Sequence, residues 1–163
     1  MYYFLNFQDP YLKIRRTENG KFVDIHTTEF LPNTLYPEWK SFTIPMQDLS
    51  GGDIENAKLS FECWDKDDLM KDELIGSFET TIPFLFTTKE FQIISNDPKK
   101  RKQKNYQNSG WLEVVSIKVI PPQDKPTNQS PHKGIFYRLN LNHLNINHLD
   151  KCYRFLLDVS SIL

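Results

Sequence analysis

The chain has 163 residues, a formal net charge of -1 and 39% hydrophobic residues. This length suits one domain whose core buries roughly 70% of the surface of the unfolded chain. No apolar run approaches the roughly 20 residues of a membrane-spanning helix, and the aromatic N-terminus lacks the basic start of a secretory signal. The sequence therefore predicts a cytoplasmic protein.

The residue types favour strands over helices. Ala57 is the only alanine, whereas the chain contains 12 Phe, 7 Tyr and 3 Trp residues. Because aromatic side chains favour strands and alanine favours helices, this composition predicts an all-β fold. The two cysteines, Cys63 and Cys152, stand 89 positions apart without a CxxC motif. They predict reduced thiols and neither a disulfide framework nor a zinc site.

Seven runs rich in β-branched and aromatic residues predict the strands of an antiparallel sandwich. In chain order they span residues 10–15, 21–27, 39–44, 58–64, 74–79, 90–95 and 111–120. Turn residues separate them, as at Asn19-Gly20. In the fourth run, Leu59, Phe61 and Cys63 alternate with polar residues, so these three side chains are expected in the core.

The composition changes at Pro121-Pro122. The change predicts a domain over residues 1–120, a linker over 121–134 and an unassigned tail over 135–163. Leucines of the tail stand at roughly helical spacing in places, namely Leu141, Leu144, Leu149, Leu156 and Leu157. His143 and His148 are five positions apart, which does not place both on one helix face, so polar surface is favoured over a metal site.

Charge is segregated along the chain. Residues 60–75 contain six acidic residues and two lysines, whereas residues 99–104 contain five basic residues. Calcium takes about six to eight oxygen ligands in irregular geometry, so carboxylates at a turn between two strands indicate a calcium-binding loop. An EF-hand is excluded because Met70 and Gly76 stand where that loop needs Gly and Glu. A solvated acidic turn is the alternative.

Three ordered motifs resemble the C2 domain of protein kinase C and synaptotagmin. They are Asp9-Pro10-Tyr11-Leu12-Lys13-Ile14, Asn33-Thr34-Leu35-Tyr36-Pro37-Glu38-Trp39, and Trp64-Asp65-x-Asp67 leading to Glu73-Leu74-Ile75-Gly76. Three further segments, at residues 42–45, 96–102 and 106–110, resemble the second C2 domain of copines. The resemblance covers about residues 3–120. It implies an eight-strand antiparallel sandwich and calcium-dependent phospholipid binding.

The same resemblance implies a set of calcium ligands. Asp9, Asp65, Asp67 and Glu73 match acids of the calcium loops, with Asp72 as a nearby reserve. Tyr3 stands where the family has its first acid, so we expect at most one well-bound calcium ion and a weakened affinity. The first strand of the sandwich, the first C2 domain and the von Willebrand A-like domain of copines have no counterpart here, so the chain is interpreted as a truncated copine.

The implied mechanism is an electrostatic switch. Calcium would bridge the acidic loops to anionic headgroups and recruit a cytoplasmic protein to the plasma membrane when calcium rises. Apolar loop residues would enter the lipid interface; they are Phe4, Leu5, Phe7, Leu69 and Met70. A basic run would contact the anionic leaflet; its members are Lys99, Lys100, Arg101, Lys102 and Lys104.

Other functions find less support in the sequence. No nucleophile motif or phosphate-binding glycine loop is present, so no enzymatic activity is predicted. One basic run without an aromatic platform or a recognition helix does not indicate nucleic-acid binding. The second hypothesis is a calcium-insensitive interaction domain with a degenerate metal site, in which the basic run binds acidic protein partners. A monomer is expected in either case.

Overall fold

The computed structural model describes residues 8–120, 136–140 and 153–156. The strands are β1 Pro10–Glu18, β2 Lys21–Thr27, β3 Phe42–Pro45, β4 Lys58–Asp65, β5 Glu73–Thr81, β6 Glu90–Ile93, β7 Gly110–Glu113, β8 Ser116–Ile120, β9 Phe136–Asn140 and β10 Tyr153–Leu156. The short helices are α1 Met46–Ser50, α2 Ile82–Thr87 and α3 Pro98–Arg101. The predicted all-β class is therefore confirmed.

Three sheets share the core. The first is antiparallel, with the strand order β2-β1-β4-β5. The second has the order β10-β7-β6, in which β10 lies parallel to β7. The third has the order β3-β9-β8 and is antiparallel. A single antiparallel bridge between Ser77 and Ile94 connects β5 to the residue that follows β6.

The β1–β2 hairpin shows how local sequence chemistry sets the register. Glu18 pairs with Lys21, which leaves Asn19 and Gly20 as a two-residue turn. Both turn residues have positive φ, 50° at Asn19 and 74° at Gly20. Two-residue hairpin turns favour this conformation because its twist matches that of the strands, and Asn-Gly is the pair that adopts it most readily.

The predicted core face of β4 is confirmed, since Leu59, Phe61 and Cys63 are each at most 1% exposed. Leu12 and Ile14 of β1 lie beside them and are fully buried. Side chains from all three sheets and from α1 and α2 complete one apolar cluster; they include Trp39, Ile44, Leu49, Leu85, Ile93, Leu112 and Ile117. The alternation of β1 and β4 thus directs these side chains to the apolar cluster, while Ser60 and Glu62 are buried on the opposite face of β4.

Two predicted strands differ from the observed ones. The run 111–120 forms two strands, which belong to different sheets. β7 pairs with β6 and β10, whereas β8 pairs with β9. The run 39–44 becomes a strand only at Phe42.

The segment after residue 120 contributes two strands, β9 and β10. Of the five leucines at roughly helical spacing, Leu156 lies in β10, whereas Leu141, Leu144, Leu149 and Leu157 are outside the described residues, as are His143, His148 and Cys152. Cys63 is a free thiol, and its burial raises its pKa well above the usual value. Within the described ranges, no helix has the length and apolar character needed to cross a bilayer.

One end of the first sheet collects the acidic residues. There β1 begins and β4 ends, because Pro10 pairs with Asp65. β5 begins at the same level, because Asp65 pairs with Glu73. We call this edge, with the loop 66–72, the acidic end. The turn at Asn19-Gly20, the turn after α1 and the start of α2 lie at the opposite end.

Candidate calcium and lipid site

Three predicted ligands, Asp9, Asp65 and Glu73, lie side by side at the acidic end. The pairing of β1, β4 and β5 brings them together although they are distant in sequence. The backbone N–H of Asp9 donates to Asp65 Oδ1 at 2.7 Å, and the N–H of Lys66 donates to the Asp9 carbonyl at 3.0 Å. Two hydrogen bonds therefore hold the segment that contains Asp9 against the segment that contains Asp65 and Lys66.

A second loop supports Asp9 from the other side. The N–H of Asn33 donates to Asp9 Oδ1 at 2.7 Å. Asn33 adopts a positive φ of 54°, which Asn tolerates better than most residues. The buried indole of Trp39 donates from Nε1 to the Pro10 carbonyl at 3.2 Å. The sequence motif ending in Trp39 thus anchors the start of β1 and positions Asp9.

Electrostatic repulsion is concentrated at Asp65. Burial raises the pKa of its carboxyl, and the neighbouring carboxylates of Asp9, Glu73 and Asp67 raise it further, against a hydrogen bond from the Asp9 backbone that lowers it. The other three predicted ligands therefore all act on Asp65. An arrangement of this kind favours a bound cation, because a cation offsets both the burial of charge and the repulsion.

The tip of the acidic loop is built by Asp67. Its Oδ1 accepts hydrogen bonds from the N–H groups of Leu69 and Met70, both at 2.8 Å. This Asx-type turn directs two apolar side chains outward. Leu69 is 95% exposed and Met70 is 79% exposed. The structure therefore presents an apolar tip beside the carboxylates.

Asp72 makes different contacts from the other acids. Its Oδ2 accepts a hydrogen bond from Tyr11 Oη at 2.7 Å. Its Oδ1 accepts from Lys66 Nζ at 3.0 Å and from the Asp67 N–H at 3.3 Å. These hydrogen bonds, that from Tyr11 first, lower the pKa of Asp72 to about 2. Burial and the Asp72 carboxylate raise the pKa of Tyr11, and the hydrogen bond to Asp72 raises that of Lys66.

The donor set suits calcium in its chemistry, since it consists of hard carboxylate oxygens. Among the residues that the structure describes, no three His, Cys, Asp or Glu side chains stand close enough to hold a metal ion as they are placed. Ligation would therefore require side-chain rotation, most clearly at Asp67, whose Oδ1 caps the loop tip. The residues fit calcium by type and location.

The basic run lies toward the same end of the molecule. Ser77 and Ile94 exchange backbone hydrogen bonds at 2.9 and 3.0 Å in an antiparallel bridge. Because β5 starts at the acidic end, the chain after Ile94 runs back toward that end. There Asp97 caps α3 by accepting from the Lys99 N–H at 2.8 Å.

Tyr106 fixes the base of this basic segment, since its Oη accepts from the Ser95 N–H at 2.7 Å and lies 3.0 Å from Ser109 Oγ. Four of the five basic side chains are exposed, and Lys100 is half-buried. No ion pair among the described residues involves any of the five. The positive charge is therefore available to an anionic surface.

Sequence reasoning identified the acidic residues but not their supports. Tyr11 was part of a recognised motif, yet nothing in the sequence indicated its contact with Asp72, 61 positions away. Asn33 likewise belongs to a recognised motif, but nothing in the sequence indicated its hydrogen bond to Asp9. Of the predicted apolar contacts, Leu69 and Met70 are exposed at the loop tip, whereas Phe4, Leu5, Phe7 and the substituted position Tyr3 lie outside the described residues.

This architecture and its clustered acidic loops define a binding module of the C2 class. Residues 4–94, more than half of the chain, match the C2 domain family. The chain therefore belongs to the C2 domain family. This match indicates a binding module, and no catalytic family is indicated.

Two curated relatives from Dictyostelium discoideum confirm the resemblance to copines. Copine-F is 34% identical over 123 residues, which is 74% of this chain and 22% of the relative. Copine-B is 29% identical over 114 residues, which is 69% of this chain and 21% of the relative. The chain therefore spans only about a fifth of the length of these relatives.

The fold also matches a solved structure described as BON1-C2B. The TM-score is 0.50 at 21% sequence identity, and the match covers 66% of this chain and 72% of that chain. This likeness concerns the fold alone.

Proposed function

We propose that the chain is a calcium-dependent phospholipid-binding module whose acidic end faces the membrane. Asp9, Asp65, Asp67 and Glu73 would hold the ion. The observation that carries the proposal is the repulsion of the partly buried Asp65 by the other three carboxylates, next to an exposed apolar tip. Calcium would supply positive charge and open coordination positions for lipid phosphate oxygens.

Two groups of residues would then attach the protein to the membrane, the apolar loop tip and the basic run. Leu69 and Met70 would enter the interface, each adding on the order of 1–2 kcal/mol when buried. The basic run would contribute roughly 1 kcal/mol per residue near an anionic leaflet. Without the ion, the carboxylates repel the same leaflet. Recruitment from the cytoplasm to the plasma membrane would follow a rise in calcium.

Ion binding is tested by thermal unfolding in excess chelator and in millimolar calcium. A ligand that binds only the folded state at 100 times its Kd adds about 2.7 kcal/mol to the free energy of unfolding. We expect the melting temperature to rise in calcium for the native chain but not for Asp65→Asn. Titration calorimetry should find at most one well-bound ion, and two tight sites would contradict the weakening assigned to Tyr3.

Membrane binding is tested by co-sedimentation with vesicles of phosphatidylcholine and phosphatidylserine. Binding should require calcium and should fall in Asp67→Asn and in a Leu69→Ser, Met70→Ser double variant. Asp53→Asn and Phe84→Ser are the matched controls, because these exposed residues lie at the opposite end. Binding that persists unchanged in chelator would exclude the calcium switch, and equal losses in the controls would exclude the acidic end as the membrane face.

A second candidate function is supported by the hydrogen bonds that the acidic loop makes without a metal ion. Asp72 accepts hydrogen bonds at both carboxylate oxygens and Asp67 accepts them at Oδ1, and among the described residues no three acids stand close enough to hold a metal ion. A calcium-insensitive interaction domain that binds acidic proteins through the basic run would fit these contacts. It predicts no calcium-dependent melting shift, together with binding to an acidic peptide that is lost when Lys99, Lys100, Arg101 and Lys102 are replaced by Ser.

A further inference from the structure

The acidic loop is fastened to β1 by a group of three side chains. Tyr11 Oη donates to Asp72 Oδ2 at 2.7 Å, and Lys66 Nζ donates to Asp72 Oδ1 at 3.0 Å. We call Tyr11, Lys66 and Asp72 the Asp72 bracket. Tyr11 belongs to β1, whereas Lys66 and Asp72 stand at the two ends of the loop 66–72. The bracket therefore closes the base of the loop and ties it to the sheet.

Tyr11 anchors the bracket in β1. Its side chain is only 6% exposed, and it lies in a strand whose register with β4 extends from Pro10–Asp65 to Arg16–Leu59. The contact between Lys66 and Asp72 is less constrained, because the Lys66 side chain is 37% exposed. The Lys66 N–H also bonds to the Asp9 carbonyl. The order imposed on the loop therefore originates in the sheet and needs no ion.

We propose that Asp72 is a positioning residue and that the Asp72 bracket orders the acidic loop before calcium binds. This inference rests on the proposed function. Both carboxylate oxygens of Asp72 are engaged within the chain, so Asp72 is not counted among the ligands. By holding the loop in place, the bracket removes part of the conformational entropy that ion binding would otherwise cost. It thereby sets the affinity of Asp65, Asp67 and Glu73 for the ion.

Tyr11→Phe separates this role from direct ligation by Asp72. The substitution removes one hydroxyl and leaves every carboxylate, every charge and the buried ring in place. If the bracket positions the loop, calcium affinity falls by roughly three- to tenfold, the equivalent of one lost hydrogen bond. If Asp72 is instead a ligand, freeing it from Tyr11 leaves the affinity unchanged or raises it. The sign of the change decides between the two roles.

Asp72→Asn and Asp68→Asn form a matched pair, because each removes one negative charge from the same loop. Asp68 is exposed. The Asn amide oxygen can still accept a hydrogen bond from Lys66, so for a positioning role the Asp72→Asn loss exceeds the Asp68→Asn loss mainly by the effect of Tyr11→Phe. In the Tyr11→Phe background, the two variants should then differ by less than about twofold. A tenfold or larger difference in that background would assign Asp72 to the ligands and overturn the proposal.

Hydrogen exchange of the full chain in excess chelator tests the loop without any ion. Backbone amides in residues 66–72 should exchange faster in Tyr11→Phe than in the native chain, while the β4 amides stay protected. Saturating calcium should restore the native rates. Unchanged loop exchange in chelator would overturn the bracket even if calcium binds. Faster loop exchange in a chain that binds no calcium would instead support the bracket's hold on the loop and refute the proposed function together with the affinity role.

Discussion

Gly76 of β5 stands against Ile93 and Ile94, at the end of β6 in the second sheet. A Cβ atom at this position would lie 2.7 Å from the Ile94 carbonyl oxygen and 2.8 Å from Ile93 Cγ2. The Ile94 backbone is held by two hydrogen bonds to Ser77, so it cannot move away without breaking the bridge. We therefore predict that Gly76→Ala forces β5 and β6 apart.

The expected cost follows from overpacking a rigid contact, which typically destabilises by about 1–3 kcal/mol. For a chain of this size, a loss of about 2 kcal/mol lowers the melting temperature by roughly 4–8 °C. Urea unfolding followed by tryptophan fluorescence measures the same loss, because Trp39 is 1% exposed in the folded state. The variant should unfold at lower urea with an unchanged slope.

Gly20→Asn is the control for this experiment. Gly20 has a φ of 74° with nothing within 4 Å of an added Cβ, and Asn tolerates positive φ. We expect a change of less than about 1 kcal/mol there. If Gly76→Ala unfolds at the same urea concentration as the native chain, the close approach of β5 to Ile94 is wrong, and so is the placement of the basic run toward the acidic end.

Two further predictions concern the hydrogen bonds of Asp72 and of Trp39. The pKa of Asp72 is lowered to about 2 in the folded state, from an ordinary value of 3.8, so its stabilising effect is complete above the ordinary pKa and is lost as the pH falls toward about 2. The urea midpoint of the native chain should therefore fall more between about pH 5 and about pH 2 than that of Asp72→Asn; equal falls would contradict the Tyr11 and Lys66 contacts. Trp39→Phe should destabilise by about 1–3 kcal/mol, because the Pro10 carbonyl loses its indole donor and a cavity opens; urea unfolding equal to that of the native chain would contradict the anchoring role of the indole.

The strands of the first sheet were predictable because their chemistry is local. Leu59, Phe61 and Cys63 alternate with polar residues, and this pattern requires one buried face whatever the partner strands are. The Asn19-Gly20 turn then fixes one register without distant information. The location of the acidic loop followed in the same way, since its charges lie between two alternating segments.

The supports of the site could not be predicted, because they depend on registers between distant strands. Tyr11 reaches Asp72 only because Pro10 pairs with Asp65 and Asp65 pairs with Glu73. A change of register by one residue would turn Tyr11 toward the core instead. The sequence shows which residues are acidic, but the register of the strands determines whether each of them lies next to a hydroxyl, an ammonium group or another carboxylate.

The domain boundary predicted near Ile120 leads to a direct experiment. In the structure, β9 lies between β3 and β8, with four paired positions on one side and five on the other. Removing residues 121–163 would leave both β3 and β8 with an open edge toward the vacated position, and it would also remove β10 from the edge of β7. Each lost ladder hydrogen bond has a net value of about 0.5–1.5 kcal/mol, but ordering each residue of β9 costs about 1–2 kcal/mol.

These opposing terms nearly cancel for the backbone alone, so a large loss on truncation would have to come from side-chain burial. We predict a cooperative transition for the chain ending at Ile120, with a melting temperature lowered by several degrees and an exposed edge that promotes association at high concentration. Thermal unfolding and sedimentation velocity measure both effects. An unchanged melting temperature without association would contradict a stabilising role for β9 and β10 and favour the boundary at Ile120.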